Sequence, residues 1–199
     1  MKTIPHFAFI LLIATLMLSC FPTDAEAEIY GDTVRLHILA NSDSAEDQSL
    51  KLAVRDRLLA KYGEILKDSA SIIEAKSLAE ELIPAIERDA KEWITELGYS
   101  YNVLATLTTE WYETREYEDF TLPCGYYTSL RLIIGNGDGK NWWCVMYPPL
   151  CMEIATEKAP SDDGLIDYTK EEILLIKKGG YNVKFKILED LSRVFSKNS

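Results

Sequence analysis

Residues 33–47 read TVRLHILANSDSAED, and this stretch predicts a β-strand that leads directly into a helix. Within the predicted strand, Thr33–Asn41, alternate residues point to opposite sides of a sheet. One side is apolar and carries Val34, Leu36, Ile38 and Ala40. The other side is mostly polar and carries Arg35, His37, Leu39 and Asn41. Ser44, followed three residues later by Asp47, is an acidic variant of the capping box and places the start of the helix there.

Two helical patterns follow the strand. The first runs to about Tyr62, with an apolar stripe of Leu50, Val54 and Leu58. The second runs over residues 71–97, where apolar residues recur every three or four positions. Pro84 interrupts it because proline lacks an N–H and its ring clashes with the preceding turn, so we expect a kink or a break just before it. Gly98 predicts the end of this helix.

Strand patterns dominate the middle of the chain. They cover Tyr101–Glu110, Thr114–Tyr117, Tyr127–Ile134 and Asn141–Tyr147, with a turn at Leu122–Gly125. Residues 135–139, GNGDG, predict a hairpin loop between the last two of these strands. The acidic and variable segment 153–180 follows, and its pattern predicts a helix over Thr169–Lys178. A strand over Tyr181–Ile187 and a short helix over Leu188–Phe195 are predicted last.

The order of these elements predicts an α+β fold. We expect one mixed or antiparallel sheet of about five strands with helices packed on one face, after an N-terminal signal helix. The folded part, residues 28–199, has the length of a single domain and is long enough to bury a substantial core.

Residues 1–27 predict a secretory signal. Lys2 gives a positive start, and residues 7–18 are an almost unbroken apolar stretch. This stretch fits the roughly 7–15 residues of a signal core and is shorter than the about 20 that a spanning helix needs. Ala25-Glu26-Ala27 is a small-x-small site, which places cleavage after Ala27. Two alternatives stay open: acylation of Cys20 in a lipoprotein-like box, and retention of the segment as an uncleaved anchor.

The composition is acidic, with 32 Asp and Glu residues against 21 Lys and Arg and a formal net charge of −11. Phosphate backbones and anionic lipid faces repel such a chain. We therefore predict that it does not bind nucleic acid, and that it meets a membrane only through the signal segment or through a partner.

Three cysteines follow the predicted signal: Cys124, Cys144 and Cys151. Outside the cytoplasm a pair of them can oxidise. Cys144 and Cys151 are the nearest pair, and Pro148-Pro149 between them suggests a chain reversal, so we predict a disulfide there. Cys124 is then left over, which we interpret as a small buried hydrophobic residue.

Residues suited to catalysis are few. His37 is the one histidine after His6, and the cysteines lack the paired spacing of zinc ligands, so we predict neither a metal nor a cofactor. Cys–His catalysis would need His37 beside a cysteine. The glycine-rich loop lacks the ending of a phosphate-binding loop, because Lys140 is followed by Asn141 and not by Ser or Thr. We therefore predict no catalytic residue.

Two stretches are more unusual than folding alone requires. The first is residues 35–44, RLHILANSDS, with Glu46-Asp47-Gln48 just after it. The second is residues 139–151, GKNWWCVMYPPLC. Adjacent strand residues point to opposite faces, so we expect one of Trp142 and Trp143 in the core and the other at the surface as an anchor for a partner.

These two stretches resemble the stage II sporulation protein R family, together with residues 114–117, TREY, and 122–127, LPCGYY, between them. The resemblance spans about residues 32–152, and the ending VKFKILE at 183–189 is also similar to that family. Cys124 departs from the family pattern, where a small residue such as alanine is expected. This departure supports Cys144 and Cys151 as the family pair. Residues 153–180 carry no resemblance.

The resemblance implies an exported signalling protein and not an enzyme. Members of this family are made in the forespore and enter the space between the forespore and mother-cell membranes. There they are needed to activate a membrane-embedded aspartic protease, which removes the pro-sequence of the sigma-E precursor. Candidate residues for contacting this protease are Arg35, His37, Asn41, Asp43, Lys140, Asn141, Trp142 and Trp143. Two alternatives stay open: an exported cell-wall-directed hydrolase, and a binding module for a wall-derived ligand.

Overall fold

The computed structural model describes residues 9–14, 24–117 and 121–149, with the single residues 168, 173 and 176. The chain divides into two compact units. The larger unit comprises Tyr30–Trp111 and Tyr126–Thr169. The described residues of the smaller unit fall within the ranges Met1–Ile29, Tyr112–Gly125 and Lys170–Ser199.

Most of the predicted signal lies outside the described residues. Residues 9–14 are helical and exposed, and a first helix, α1, covers Asp24–Gly31. The signal segment and its cleavage after Ala27 therefore stay predictions. In the described part of the chain, no helix has both the length and the apolar character needed to cross a bilayer.

Four strands form the sheet of the larger unit. They are β1 (Val34–Leu39), β2 (Val103–Tyr112), β5 (Gly125–Ile134) and β6 (Asn141–Tyr147). The strand order is β2-β5-β1-β6, and β1 pairs parallel with β5 and antiparallel with β6. Two further strands, β3 (Arg115–Glu116) and β4 (Thr121–Leu122), form a separate antiparallel pair. The predicted α+β class with a mixed sheet is confirmed.

The predicted hairpin between β5 and β6 is wrong. β1 lies between these two strands, so the loop over residues 135–140 passes across the carboxyl end of β1 instead of closing a tight turn. A glycine-rich segment signals that the chain reverses its direction, but it does not specify how many strands the reversal spans. We call this segment the glycine loop.

The first helical segment is longer than predicted. Helix α2 (Ala45–Leu58) continues through a π-helical turn (Leu59–Gly63) into α3 (Glu64–Lys67). Its start is as predicted, because the Ser44 hydroxyl oxygen accepts a hydrogen bond of 3.1 Å from the Asp47 backbone N–H.

Helix α4 (Ile72–Glu96) runs without interruption through Pro84, so the predicted break is absent. Pro84 is exposed, and water can reach the carbonyl that lacks an N–H partner. The helix ends at Gly98 as predicted, with φ at 87°. Gly98 N–H donates to the Thr95 carbonyl and Tyr99 N–H donates to the Ile94 carbonyl, which is the bonding pattern of a Schellman motif.

The core of the larger unit lies between the sheet and these helices. Helices α2 and α4 both pack against β1. The fully buried apolar side chains of this layer include Val34, Leu36 and Ile38 from β1, Val54 and Leu58 from α2, and Ala75, Ala79, Ile86, Ala90 and Ile94 from α4. The alanines on α4 are small, so the helix backbone can approach the sheet closely. This apolar layer covers one side of β1 and leaves the other side for polar groups.

A buried carboxylate joins α4 to the π-helical turn. Asp89 accepts hydrogen bonds from Lys61 Nζ, from the Tyr62 hydroxyl at 2.6 Å and from the Arg88 guanidinium at 3.0 Å. The Lys61 bond, followed by the Tyr62 bond, outweighs the effect of burial and lowers the pKa of Asp89 to about 2. The same contact, after the effect of burial, raises the pKa of the Tyr62 hydroxyl.

The remaining predicted elements lie outside the described residues. This holds for the strand over 181–187, the helix over 188–195 and most of the helix over 169–178. Within that last range, Ile173 and Ile176 are helical.

Candidate functional site

The polar side of β1 lies inside the protein, because all six residues of the strand are buried. Arg35 is fully buried. Its Nε donates to the Cys144 carbonyl oxygen at 3.2 Å, and its guanidinium carbon lies 5.1 Å from the centre of the Tyr127 ring. Burial of an arginine is tolerated where hydrogen bonds and an aromatic face replace water. Arg35 therefore supports the sheet from within and does not lie on the surface.

His37 is the centre of a group of five side chains from four strands. We call this group the histidine cluster: His37, Glu110, Arg131, Asn141 and Trp143. His37 Nδ1 lies 3.0 and 3.2 Å from the two Glu110 carboxylate oxygens, and its Nε2 lies 3.0 Å from Asn141 Oδ1. The Trp143 ring stacks on the imidazole with 3.5 Å between ring centres and 22° between planes.

Strand pairing explains why these residues meet. His37 is paired with Arg131 of β5 on one side and with Trp143 of β6 on the other. Directly paired residues project from the same face of a sheet. Because α2 and α4 pack on the Leu36 face of β1, the histidine cluster lies on the opposite face.

Glu110 holds the charges of this cluster together. Burial raises the pKa of Glu110. The hydrogen bond and charge of His37, the Ser129 hydroxyl and the Arg131 guanidinium together lower this pKa by more than burial raises it, so it lies below its ordinary value. Arg131 Nε lies 3.4 Å from Glu110 Oε1. Glu110 is therefore ionised at neutral pH, and it orients the imidazole.

This arrangement differs from a nucleophilic triad. A histidine that activates a nucleophile has a carboxylate on one ring nitrogen and a hydroxyl or thiol on the other. Here the second nitrogen faces the Asn141 carboxamide. Cys144 is paired with Leu36, so its side chain projects from the face of the sheet opposite to that of His37.

A second polar group, the turn network, lies where β1 joins α2. It is formed by Asn41, Ser42, Asp43 and Asp47. Asp47 Oδ2 accepts from Ser42 Oγ at 2.6 Å and from Asn41 Nδ2 at 2.9 Å. The Ser42 bond and then the Asn41 bond lower the pKa of Asp47, against the raising effect of burial.

The turn network holds the glycine loop in place. Asn41 Oδ1 accepts from the Asn136 backbone N–H at 3.1 Å, and Asp43 Oδ1 accepts from the Lys140 backbone N–H at 2.6 Å. Gly139 N–H donates to the Ala40 carbonyl at 3.0 Å. Asn41 and Asp43, two of the predicted contact residues, thus bind their own chain.

Two glycines show how closely the loop approaches the end of β1. Gly135 has a φ of 62°, and a Cβ there would lie 2.2 Å from Asn41 Oδ1. A Cβ on Gly139 would lie 2.2 Å from the Ser42 carbonyl oxygen, which is backbone and has little room to move. The loop therefore requires glycine at these positions for steric reasons.

The start of β6 is the most exposed part of the predicted site. Lys140 and Asn141 are exposed, and both tryptophans are half-buried. Trp142 lies on the helix face, with the Arg55 guanidinium 5.0 Å from its ring centre, while Trp143 stacks on His37. The opposite orientations are as predicted, but the expectation of one core and one surface tryptophan is wrong, because each ring has a partner that covers one side.

Comparison with known proteins connects this site to a family. The family model described as "Stage II sporulation protein R" matches residues 30–157, which include both polar groups and the glycine loop. The chain is also 34% identical to "Stage II sporulation protein R" of Bacillus subtilis (strain 168), over 82% of this chain and 81% of that protein.

The chain belongs to the stage II sporulation protein R family. It is therefore a protein of a sporulation family whose name describes no enzymatic activity. No solved structure matches the chain.

The family assignment leaves the predicted disulfide untested. Cys144 is disulfide-bonded, but its predicted partner Cys151 lies outside the described residues. Cys124 is buried, in line with its interpretation as a small core residue. Within the described ranges, no group of three or more histidine, cysteine or acidic side chains is placed to hold a metal ion.

Glu110 and Arg131 are not among the site residues predicted from the sequence. Each is a single charged residue in a strand pattern that is otherwise rich in threonine or apolar residues. A charged residue in such a strand is a signal for an internal partner of opposite charge. That signal would have marked both residues, but it would not have identified His37 as the partner.

Proposed function

We propose that the chain is an exported signalling protein of sporulation that activates the membrane-embedded aspartic protease of the mother cell. In this proposal the forespore makes the protein and exports it into the space between the two membranes. Activation there leads to proteolytic processing of the sigma-E precursor. The observation that carries the proposal is family membership, with 34% identity to the Bacillus subtilis stage II sporulation protein R over 82% of the chain.

We place the contact with the protease at the start of β6, residues 140–143. Lys140 and Asn141 are exposed, and the two tryptophans each leave part of a ring accessible. Large aromatic side chains with one face held by the protein are effective anchors, because little side-chain entropy remains to be lost on binding. Arg35 is fully buried, and Asn41 and Asp43 hold the glycine loop, so these three support the surface from behind.

In this proposal the chain contributes binding and the protease contributes the chemistry. A bound protein activates an enzyme by binding its active conformation more tightly than its inactive one. The histidine cluster suits this role, because Glu110 orients the imidazole on which the Trp143 ring stacks before contact. A preorganised surface loses less entropy on association than a mobile one.

The proposal is tested by Trp143→Ala, with Tyr126→Ala as the matched control. Tyr126 is also a strand aromatic of the larger unit and is 63% exposed, but it lies on β5 before Thr128, which pairs with the first residue of β1, whereas Trp143 pairs with His37. We expect Trp143→Ala to reduce sigma-E precursor processing by about 30-fold, as the loss of a roughly 2 kcal/mol anchor predicts. Tyr126→Ala is expected to leave processing within about 2-fold of wild type.

Crosslinking separates a loss of contact from a loss of fold. A photo-crosslinking residue at position 143, and separately at 126, is introduced into the full chain, and capture of the purified protease is measured beside its activation. Capture from 143 and not from 126 is the expected result. Equal capture from both positions, or normal processing by a folded and exported Trp143→Ala protein, would contradict the proposed surface.

A further inference from the structure

The His37 imidazole lies between two groups with different hydrogen-bonding abilities. Only 4% of His37 is exposed, so its ring nitrogens depend on protein partners. On the Nδ1 side, the ionised Glu110 carboxylate can only accept. On the Nε2 side, the Asn141 carboxamide can accept through its oxygen or donate through its nitrogen. Nδ1 therefore keeps its proton in either charge state of the ring, and Nε2 is the nitrogen that gains or loses one.

The two charge states of the ring require opposite orientations of Asn141. In the charged ring, Nε2–H donates to Asn141 Oδ1, and the distance of 3.0 Å between Nε2 and Oδ1 fits this arrangement. In the neutral ring, Nε2 carries a lone pair, and an oxygen facing it would be repelled. Rotation of the carboxamide by half a turn replaces Oδ1 with Nδ2–H and restores a hydrogen bond.

We propose that the protonation state of His37 sets which end of the Asn141 carboxamide faces the solvent. Asn141 is exposed, so its outer group is available at the surface. With the charged ring, the start of β6 presents an NH₂ donor. With the neutral ring, it presents a carbonyl acceptor. The device goes beyond the proposed signalling role and does not depend on it.

Groups from every strand around the ring act on its charge. The Glu110 carboxylate from β2 lies at Nδ1, and the Trp143 ring from β6 stacks on the imidazole. Arg131 from β5 and Arg35 from β1 carry positive charges on the same face of the sheet. Lys140, which precedes β6, is exposed to solvent and acts more weakly.

The test is a titration of the full chain, labelled with ¹⁵N and followed by NMR from pH 5 to pH 8. The His37 ring is distinguished from His6 because its signals disappear in His37→Gln. We expect the Asn141 side-chain amide signals to move with the same midpoint as the His37 ring. The Asn136 carboxamide, on the glycine loop and outside the cluster, is expected to stay constant. The proposal fails if the Asn141 signals stay constant through the ring titration, or if the ring keeps one charge state over this range.

A pair of variants separates the amide rotation from general electrostatics. The aspartate of Asn141→Asp can only accept from Nε2–H, so we expect the ring to stay charged to a higher pH than in wild type. Asn136→Asp adds the same charge on the exposed glycine loop and is expected to move the midpoint much less. Equal shifts in the two variants would contradict a specific role for position 141.

Discussion

The turn network and the histidine cluster both surround a carboxylate whose pKa is lowered, but they are built differently. Asp47 is only five and six residues away from Ser42 and Asn41, its hydrogen-bonding partners. In the histidine cluster, Glu110 and Asn141 are 73 and 104 residues away from His37. One group is a local turn stabilised by its own side chains, and the other exists only when four strands have assembled.

This difference separates structural residues from residues that face outward. In the turn network, Asn41 and Asp43 accept hydrogen bonds from backbone N–H groups of the glycine loop, so they bind their own chain. In the histidine cluster, the chain of contacts ends at Asn141, which is exposed, and at Trp143, which is half-buried. The two polar groups therefore differ in what they leave available to a partner.

The largest effect is expected where the turn network meets the glycine loop. Gly139→Ala would place a methyl group against the Ser42 carbonyl oxygen, which belongs to the backbone. We expect the free energy of unfolding to fall by about 3 kcal/mol, measured by urea denaturation. Gly31→Ala is the control, since a Cβ there meets nothing within 4 Å, and it is expected to change stability by less than about 0.5 kcal/mol. Equal effects in the two variants would mean that the loop is not tightly held.

A smaller effect is expected from Asp47→Asn, which keeps the shape but places an NH₂ group against the Ser42 and Asn41 donors. We expect a loss of about 2 kcal/mol at pH 7. Because folding lowers the pKa of Asp47 below 3.8, its contribution is present above about pH 4 and is lost as the pH falls further. The stability of the variant should therefore decline less steeply than that of wild type between pH 5 and pH 2.

The matched control for Asp47→Asn is Glu46→Gln, the neighbouring acid in the first turn of α2. Glu46 is exposed, so its replacement should cost under about 0.5 kcal/mol. Unfolding curves at several pH values measure both variants. If the two curves coincide, Asp47 is no more than a surface acid of the helix start.

The smallest effect is expected from Glu110→Gln in the histidine cluster. The glutamine oxygen still accepts from His37 Nδ1, but the charge that faces His37 and Arg131 is lost. We expect a loss of about 1 kcal/mol at pH 7, and none at a pH low enough to protonate Glu110, whose folded pKa is lowered. Urea unfolding at neutral and acid pH measures it, and Glu92→Gln on the exposed side of α4 is the control. A loss equal to that of Asp47→Asn would remove the contrast between the two polar groups.

Local features of the fold were predictable from the sequence. The alternation in β1, the Ser44 cap and the Gly98 helix end depend on residues a few positions apart. The strand order was not predictable, because the glycine loop reads the same whether it joins neighbouring strands or crosses a third one. The predicted break at Pro84 is absent for a related reason. The free-energy cost of a proline inside a helix depends on whether water reaches the unpaired carbonyl, which the local sequence does not reveal.

The candidate site was predictable as a set of positions but not as an arrangement. The unusual residues of the two motifs do come together, since β1 and β6 are neighbours. Arg35 was expected on a strand surface that faces a partner, but it is fully buried. The burial follows from the central position of β1 in the sheet, which the alternation of polar and apolar residues in β1 does not reveal. Glu110 comes from a strand outside both motifs, so only tertiary pairing identifies it.

The central position of β1 also has a consequence for how the protein is made. The strand is synthesised early, but Thr128, which pairs with Val34, and Cys144, whose carbonyl binds Arg35 109 residues away, are synthesised much later. A ribosome that has translated β1, α2 and α4 has made a strand with neither neighbour, and closing such long loops is slow. The sheet of the larger unit therefore cannot be completed before residue 147 has been synthesised.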